Sequence, residues 1–415
     1  MVLLRQGFDR PQIEDIPTGV TAALEQLHLA RTIRPSHTVA LTAGSRGIAN
    51  IHIILRSTVS FLKNLGARPF IVPAMGSHGG GTAEGQSHIL ESYGITEESV
   101  GAPIRASMDV VSLGSTTEGF PVHLDRHASE ADHIGVVARI KPHTGFHGTI
   151  ESGLLKMIMI GLGKHVGALA AHRLLLEEPY DRVVRSISRQ VRSKAPIAFG
   201  LGIVENAYDE TALLEGIGPE QFEAREEELL KLAKQWLARL PWSEADLLIV
   251  DEIGKNISGS GMDTNVVGRK RAFREQPSIG QPQMRHIYVR GLTSKTHGNA
   301  AGIGLADFTS TRLIKAMNYR ATVINCLTAG YPEGAILPVH FETDREVIEA
   351  ALAIIGRREP HEARILRIRD TLALENVEVS EPCLAEPNSA TRHQVIGASR
   401  PLAFDVQGNL PPLGS

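Results

Sequence analysis

Short apolar runs alternate with segments of helical periodicity along most of the chain, and this alternation constrains the fold more than any other feature. The run TVALTA (38–43) is typical of a buried strand, and residues 48–66 carry apolar side chains at helical spacing. This alternation predicts an α/β protein with mostly parallel sheets. The other predicted strands are 69–74, 132–140, 197–206, 245–253, 285–290 and 321–327, and the other predicted helices are 82–94, 151–173, 180–193, 219–238, 306–317 and 344–354.

The 415 residues are enough for two or three domains of the usual size. The segment GRKRAFREQPSIGQPQ (268–283) is charged and then rich in Gln and Pro, which is typical of a linker. We therefore predict an N-terminal α/β domain over 1–275 and a smaller C-terminal α/β domain over 276–415, with an active-site cleft between them. Periodicity is weak from about residue 376, so we expect an irregular tail there.

Composition excludes several classes of protein. The chain has 43 basic and 46 acidic residues, a net charge of −3, which disfavours a nucleic-acid partner. Two cysteines are too few for a disulfide scaffold or a Cys-rich zinc site. Arg5 interrupts the apolar run after Met1, and no apolar stretch approaches the roughly 20 residues that span a bilayer. We expect a cytoplasmic protein with a small-molecule substrate and no membrane partner; the sequence leaves its oligomeric state open.

Polar loops follow the predicted strands, where ligands bind in open α/β sheets. After the first strand come Gly44, Ser45 and Arg46, an arrangement that lets the backbone approach an anion held by the arginine. An ordinary turn with a surface arginine explains the same letters. After the second strand, AMGSHGGGTAEGQ places His78 before three glycines, with Thr82 as a helix cap. A flexible loop with an incidental histidine is the alternative there.

The stretch IKPHTGFHGTIESGLLKM follows a further strand and carries His143, His147 and Lys156. Lys156 lies in an apolar run, although removing an ammonium group from water is expensive unless the side chain reaches solvent. His172 follows sixteen residues later. In an unbroken helix those two side chains would point about 160° apart, so they converge only through a break, which GLG (161–163) offers.

Two later loops are also rich in polar residues. Residues 250–269 carry Asp251 and Lys255, and residues 292–304 carry Lys295. The chain contains no CxxC…CxxC, HExxH, Walker or GxSxG pattern, and GLGKHVGA does not match a dinucleotide fingerprint. The common enzyme classes that such motifs define are therefore excluded.

Taken in order, the loops resemble the nickel-dependent lactate racemase family, a group of 2-hydroxy-acid racemases and epimerases. The resemblance covers about 38–330. TAGSRG is similar to the family's first anion-binding loop, AMGSHGGGTAE to its A-x-G-x-H-x-x-x-T-x-E segment, IKPH to the segment at its second catalytic histidine, and SGLLK to its S-G-G-x-K. The resemblance implies that His78 and His143 are catalytic, that Lys156 holds the cofactor and that His172 binds nickel. The gap before Lys156 is about three residues longer than in the lactate enzymes, which leaves His147 as a rival to His143.

The cofactor that the resemblance implies is a nickel-pincer nucleotide, pyridinium-3-thioamide-5-thiocarboxylic acid mononucleotide with Ni. Its thioamide with Lys156 would remove the lysine's charge, so burial would carry no charge penalty. Gly44, Ser45 and Arg46 would bind the cofactor, and Arg46 or Lys295 the substrate carboxylate. The implied reaction inverts C2 of a lactate-like or sugar acid by reversible hydride transfer. Alternatives are a family member that acts on a hydroxy or sugar acid without nickel, and a non-catalytic protein that binds the nickel nucleotide.

Overall fold

The structure is a computed structural model, and it describes residues 1–45, 47–270, 281–385 and 392–413. The strands are β1 (Val2–Gly7), β2 (Thr38–Ala43), β3 (Arg68–Pro73), β4 (Val110–Ser115), β5 (Pro121–Asp125), β6 (His133–Arg139), β7 (Ile197–Glu205), β8 (Thr211–Ile217), β9 (Glu244–Val250), β10 (Gln283–Val289), β11 (Phe308–Ser310), β12 (Val339–Phe341), β13 (Ile365–Ile368), β14 (Asn376–Val379) and β15 (Arg392–Val395).

The helices lie between these strands, as the alternation predicts. They are α1 (Ile16–Glu25), α2 (Ile51–Asn64), α3 (Ala83–Ser92), α4 (Glu97–Val100), α5 (Arg126–Ser129), α6 (Leu154–Lys156), α7 (Lys164–Leu174), α8 (Tyr180–Lys194), α9 (Phe222–Trp236), α10 (Thr264–Val267), α11 (Thr311–Ala316), α12 (Tyr319–Thr328), α13 (Asp344–Leu352) and α14 (Glu381–Leu384). A turn of π-helix, Met157–Gly161, directly follows α6.

The chain divides into two compact units, and their boundary differs from the predicted one. The first unit is Asp9–Leu237, and the second combines Met1–Phe8 with Ala238–Ser415. The predicted division into 1–275 and 276–415 is wrong because β9 pairs in parallel with both β10 and β13, and so belongs to the second unit's sheet. The segment read as a linker instead joins two strands of that sheet, and its residues 271–280 lie outside the described residues.

The first unit contains a sheet in the order β3-β2-β6-β7-β8, in which only β8 is antiparallel among the described strands. In β2 every residue after Thr38 is buried. A strand buried on both faces reads as a continuous apolar run, which is the pattern that the sequence shows. The helix α2 confirms the predicted helix over 48–66, since Ile51, Leu55 and Leu62 bury one face at helical spacing. The α/β prediction is therefore confirmed for this unit.

The second unit contains a mixed sheet in the order β12-β11-β10-β9-β13-β14-β1-β15. The strands from β12 to β13 in this order are parallel, and β14, β1 and β15 pair antiparallel. The prediction of an irregular tail from about 376 is wrong for the described part of 376–395, where β14, α14 and β15 form, and it is confirmed for 396–413, which contain no helix or strand. Residues NVEV form β14 between β13 and β1, where Val377 and Val379 are fully buried. The tail takes its order from pairing with distant segments, which local periodicity does not show.

The predicted strand 321–327 is wrong, because these residues form α12. The Asn318 side chain accepts a hydrogen bond from the backbone N–H of Ala321 and so caps this helix. Ile324 and Leu327 are more than half exposed, so the apolar run is not a buried strand. A short apolar run alone does not distinguish strand from helix, and here the cap decides.

The predicted helix 151–173 is broken at the place that the sequence suggests. Leu154–Gly161 and Lys164–Leu174 meet at a bend of 109°. In the part of the chain that the structure describes, no single helix is long and apolar enough to cross a membrane, and only this bent pair passes by length and composition when taken together.

Candidate active site

Loops at the carboxyl edge of the first unit's sheet carry most of the predicted site residues. Ser45 follows β2 and His78 follows β3; because these strands are parallel neighbours, their loops meet. The Ser45 hydroxyl is hydrogen-bonded to Nδ1 of His78, and the Tyr93 hydroxyl donates to the Ser45 carbonyl at 3.0 Å. The structure therefore brings two of the predicted residues together. Arg46, the predicted anion ligand, lies outside the described residues.

Both loops pack against the helical segment that follows Lys156. A methyl group built on Gly44 would lie 3.2 Å from Cε of Met157. One built on Gly76 would lie 2.9 Å from Cγ2 of Ile160 and 3.3 Å from Cβ of Ala168. Glycine at these positions allows a close approach that a larger residue would prevent.

The His143 ring is held by its own loop. Its Nδ1 accepts a hydrogen bond from the backbone N–H of Gly145 at 2.9 Å, and its backbone N–H donates to the buried carboxylate of Glu151 at 2.6 Å. The ring stacks on Phe146 with centroids 4.6 Å apart, and Phe146 stacks on Tyr180 at 4.7 Å. Because Nδ1 accepts, the neutral ring carries its proton on Nε2. His147 is exposed.

A short series of hydrogen bonds joins this loop to Lys156. The backbone groups of Lys141 and Ser152 exchange two hydrogen bonds, at 3.0 and 3.2 Å. The hydroxyl of Ser152 accepts a hydrogen bond from the Lys156 ammonium at 3.4 Å. Lys156 is half-buried on the last residue of α6. The loops that carry His78 and His143 are thus both attached to the segment around this lysine.

Glu226 on α9 holds the start of α6 through a hydrogen bond, and no sequence pattern predicts this role. Its carboxylate is fully buried and accepts a hydrogen bond from the backbone N–H of Leu155 at 3.0 Å. A Cβ on Gly153 would overlap that carboxylate, which explains the glycine before the helix. Burial raises the pKa of Glu226 to about 7, although hydrogen bonds from the backbone of Leu155 and Leu154 act against the rise. Its neighbours in EEELLK resemble a solvated charged face, so the sequence of α9 does not show that this glutamate is buried.

Lys164 begins α7 and is the second lysine of the segment. Its side chain is fully buried, with Nζ 3.4 Å from a carboxylate oxygen of Asp125, which is also buried. Desolvation lowers the pKa of Lys164 and raises that of Asp125. Lys156 is therefore the more accessible of the two amines. His172, the predicted nickel ligand, is half-buried in the last turn of α7, beyond the bend.

The second unit holds the remaining predicted residue, Lys295. It is exposed in the short helical turn Ser294–Thr296 that follows β10. Its assignment to the substrate carboxylate stays a prediction. In the neighbouring polar loop, Asp251 makes ion pairs with Arg367 and Arg290, each at 2.8 Å. Asp251 is therefore a partner in a buried charge network rather than a free ligand.

The described ranges contain no group of three or more His, Cys, Asp or Glu side chains placed to hold a metal ion.

Comparisons with known proteins find similarity to a family model and to solved structures. Residues 12–183 match the family model of the lactate racemase N-terminal domain. The lactate racemase apoprotein from Thermoanaerobacterium thermosaccharolyticum has a similar structure, with a TM-score of 0.53 and 14% identity over 90% of this chain and 99% of that one. A protein from Thermotoga maritima is similar with a TM-score of 0.51 and 15% identity over 79% of this chain and 84% of that one. At these identities the two structures show a shared fold. No curated protein matches the sequence.

Proposed function

We propose that the chain inverts C2 of a 2-hydroxy acid with a nickel-pincer nucleotide held on Lys156, because residues 12–183 match the family model of the lactate racemase N-terminal domain. The observation that supports this most is the attachment of two histidine loops to the segment around one half-buried lysine. His78 reaches it through Ser45 and the packing of Gly76, and His143 reaches it through the hydrogen bonds of Ser152.

The residues fit the proposed cofactor. An amine that forms a thioamide must be reachable, and Lys156 is half-buried whereas Lys164 is enclosed. His172, half-buried in the last turn of α7, would supply the protein's ligand to nickel. Gly44 and Ser45 would lie along the nucleotide, and Arg46 or Lys295 would pair with a phosphate or carboxylate.

Inversion requires the C2 hydrogen to leave one face and return to the other. When bound, the cofactor supplies a redox carbon that accepts this hydrogen as hydride. The two enantiomers present their hydroxyl groups in different directions, so two proton-transfer groups are needed. Imidazoles suit this task because their protons exchange near neutral pH.

The two imidazoles are held in different ways. The Ser45 hydroxyl can accept from Nδ1 of His78, which leaves Nε2 unprotonated, or donate to Nδ1, which leaves the proton on Nε2. Gly145 only donates, so His143 presents an Nε2–H in its neutral form. In this geometry His78 takes the hydroxyl proton and His143 donates a hydrogen bond to the substrate oxygen. For His143 to act as the base, the Gly145 amide must release Nδ1.

The test is a chiral assay of 2-hydroxy acids, including lactate and sugar acids, with protein loaded with the nickel cofactor. We expect inversion of at least one acid, with deuterium at C2 retained in ordinary water. His78→Gln should abolish it, and His88→Gln, the same change at an exposed site on α3, should not. Loss of the label to solvent at the rate of turnover would refute hydride transfer. Loading without inversion of any acid would favour the non-catalytic nucleotide-binding protein, and inversion without nickel would favour other chemistry.

A further inference from the structure

The ammonium of Lys164 has no part in the proposed chemistry. It is nevertheless fully buried, in the segment between Lys156 and His172. Its Nζ donates to the carbonyl of Pro73 at 2.7 Å and to Oε1 of Gln86 at 2.9 Å, and it pairs with Asp125. Lys164 adopts a positive φ of 55°, which is rare for a residue with a side chain. A strained backbone and a buried charge persist only where the surroundings hold them in place.

The partners of Lys164 enclose the His78 loop on both sides. Pro73 is the last residue of β3, directly before the loop, and Gln86 lies on α3, directly after it. The amide of Gln86 also donates to the carbonyl of Gly76 at 2.9 Å and to that of His78 at 3.3 Å. The Lys164 ammonium therefore orients the Gln86 amide, which in turn holds the backbone of the His78 loop.

Asp125 connects the same ammonium to the helix break. Its carboxylate pairs with Lys164, and its backbone N–H donates to the carbonyl of Leu162, inside the break, at 2.7 Å. Because α7 begins at Lys164 and carries His172, the position of α7 is fixed relative to the loop by the same contacts.

From this arrangement we propose that Lys164 is a positioning residue. With Gln86, Asp125 and the carbonyl of Pro73 it forms a clasp that holds the His78 loop in register with α7. The clasp acts on the ring of His78 through the carbonyl of the same residue, and it never contacts the substrate. Its catalytic meaning rests on the proposed function, but its effect on the loop does not.

The experiment uses the full chain without cofactor. Lys164→Met combined with Asp125→Asn removes both charges, preserves side-chain length and keeps the cap that Asp125 provides to Ala128. Hydrogen exchange is followed by mass spectrometry in the peptide 74–86, and the His78 ring is titrated by NMR with His78→Gln to assign its signal. We expect exchange in 76–82 to rise about tenfold or more and the midpoint of the His78 titration to change, because the ring's surroundings change when the loop is released.

Two further variants separate positioning from general destabilisation. Gln86→Met leaves the charge pair in place but removes the donors to Gly76 and His78, so it should reproduce the loop effect even if the charge-free variant does not fold. Leu62→Ala, a buried change on α2 away from the clasp, should destabilise the unit and leave both loop measurements unchanged. Wild-type exchange and titration in folded Gln86→Met protein would overturn the proposal. Because no cofactor is present, that result would leave the racemase proposal standing, and failure of wild-type protein to invert any acid would leave the clasp standing.

Discussion

The buried carboxyl group of Glu226 predicts a stability that falls as the pH rises. Its pKa is about 7 in the folded protein against an ordinary 4.5, because burial disfavours the charged form. Below pH 4.5 the group is protonated in both the folded and the unfolded chain, so its burial carries no charge penalty. Above it, the unfolded chain releases the proton first, and stability is lost until the folded pKa is passed near pH 7. A difference of about 2.5 pKa units corresponds to about 3 kcal/mol of unfolding free energy at 1.36 kcal/mol per unit.

Glu226→Gln should remove this dependence, since the amide keeps the shape of the carboxyl group and does not titrate. Relative to wild type, we expect the variant to gain about 3 kcal/mol between pH 4.5 and pH 8. That is a large change for a domain whose total stability is typically about 5–15 kcal/mol. The comparison cancels the titration of all other groups, because they are shared by both proteins.

The assay must report on the first unit alone, and the two tryptophans make this possible. Trp236 lies on α9 with Glu226, and Trp242 lies in the second unit. In a Trp242→Phe background, fluorescence during urea unfolding follows the first unit. Glu228→Gln is the matched control, because this carboxylate on the same helix is more than half exposed. Parallel stability curves for wild type and Glu226→Gln from pH 4.5 to pH 8 would refute the reasoning.

The other predictions concern the proposed cofactor and its ligands. Lys156→Arg should lose the covalent cofactor, seen as its missing mass on the intact chain, because a guanidinium does not form the thioamide; retained mass would point to another attachment. His172→Ala should retain the covalent mass but lose nickel on dialysis, measured by elemental analysis. An unchanged nickel content would show that another residue binds the metal. His143→Ala should slow inversion by about 10²–10⁴-fold while His147→Ala changes it little, and the reverse ranking would exchange their roles.

Local sequence patterns predict the helices and strands that bury a continuous apolar face. They fail for strands whose order comes from pairing with segments far away in the sequence. The run TVALTA and the helix over 48–66 follow from apolar spacing alone. The strand β14 does not, because its order comes from β13 and β1, and β1 lies more than 370 residues before it. The charged linker predicted over 268–283 fails for the same reason: composition cannot show that the strands on either side belong to one sheet.

The candidate site divides in a similar way. Post-strand loops locate Ser45, His78 and His143, because parallel strands send their carboxyl ends to one edge. The supporting groups are invisible in the sequence. Glu226 lies in a run of glutamates that resembles a solvated helix face. Lys164 follows the glycines of the helix break, and nothing in that pattern indicates that the lysine is buried. Residues that act through burial are recognised only when the fold shows which of many similar side chains is enclosed.

The loop before Lys156 carries both candidate histidines, and its contacts bear on the choice between them. Phe146 lies inside this stretch and stacks between His143 and Tyr180, while the amide of Gly145 holds Nδ1. A histidine that donates a hydrogen bond to the substrate oxygen needs a fixed ring, because such bonds span about 2.6–3.2 Å. Phe146 and Gly145 therefore hold the His143 ring, whereas His147 is exposed. The fixed ring favours His143 as the partner of His78. Phe146→Ala should therefore slow inversion in the chiral assay, because it leaves the His143 imidazole in place but removes the ring that it stacks on.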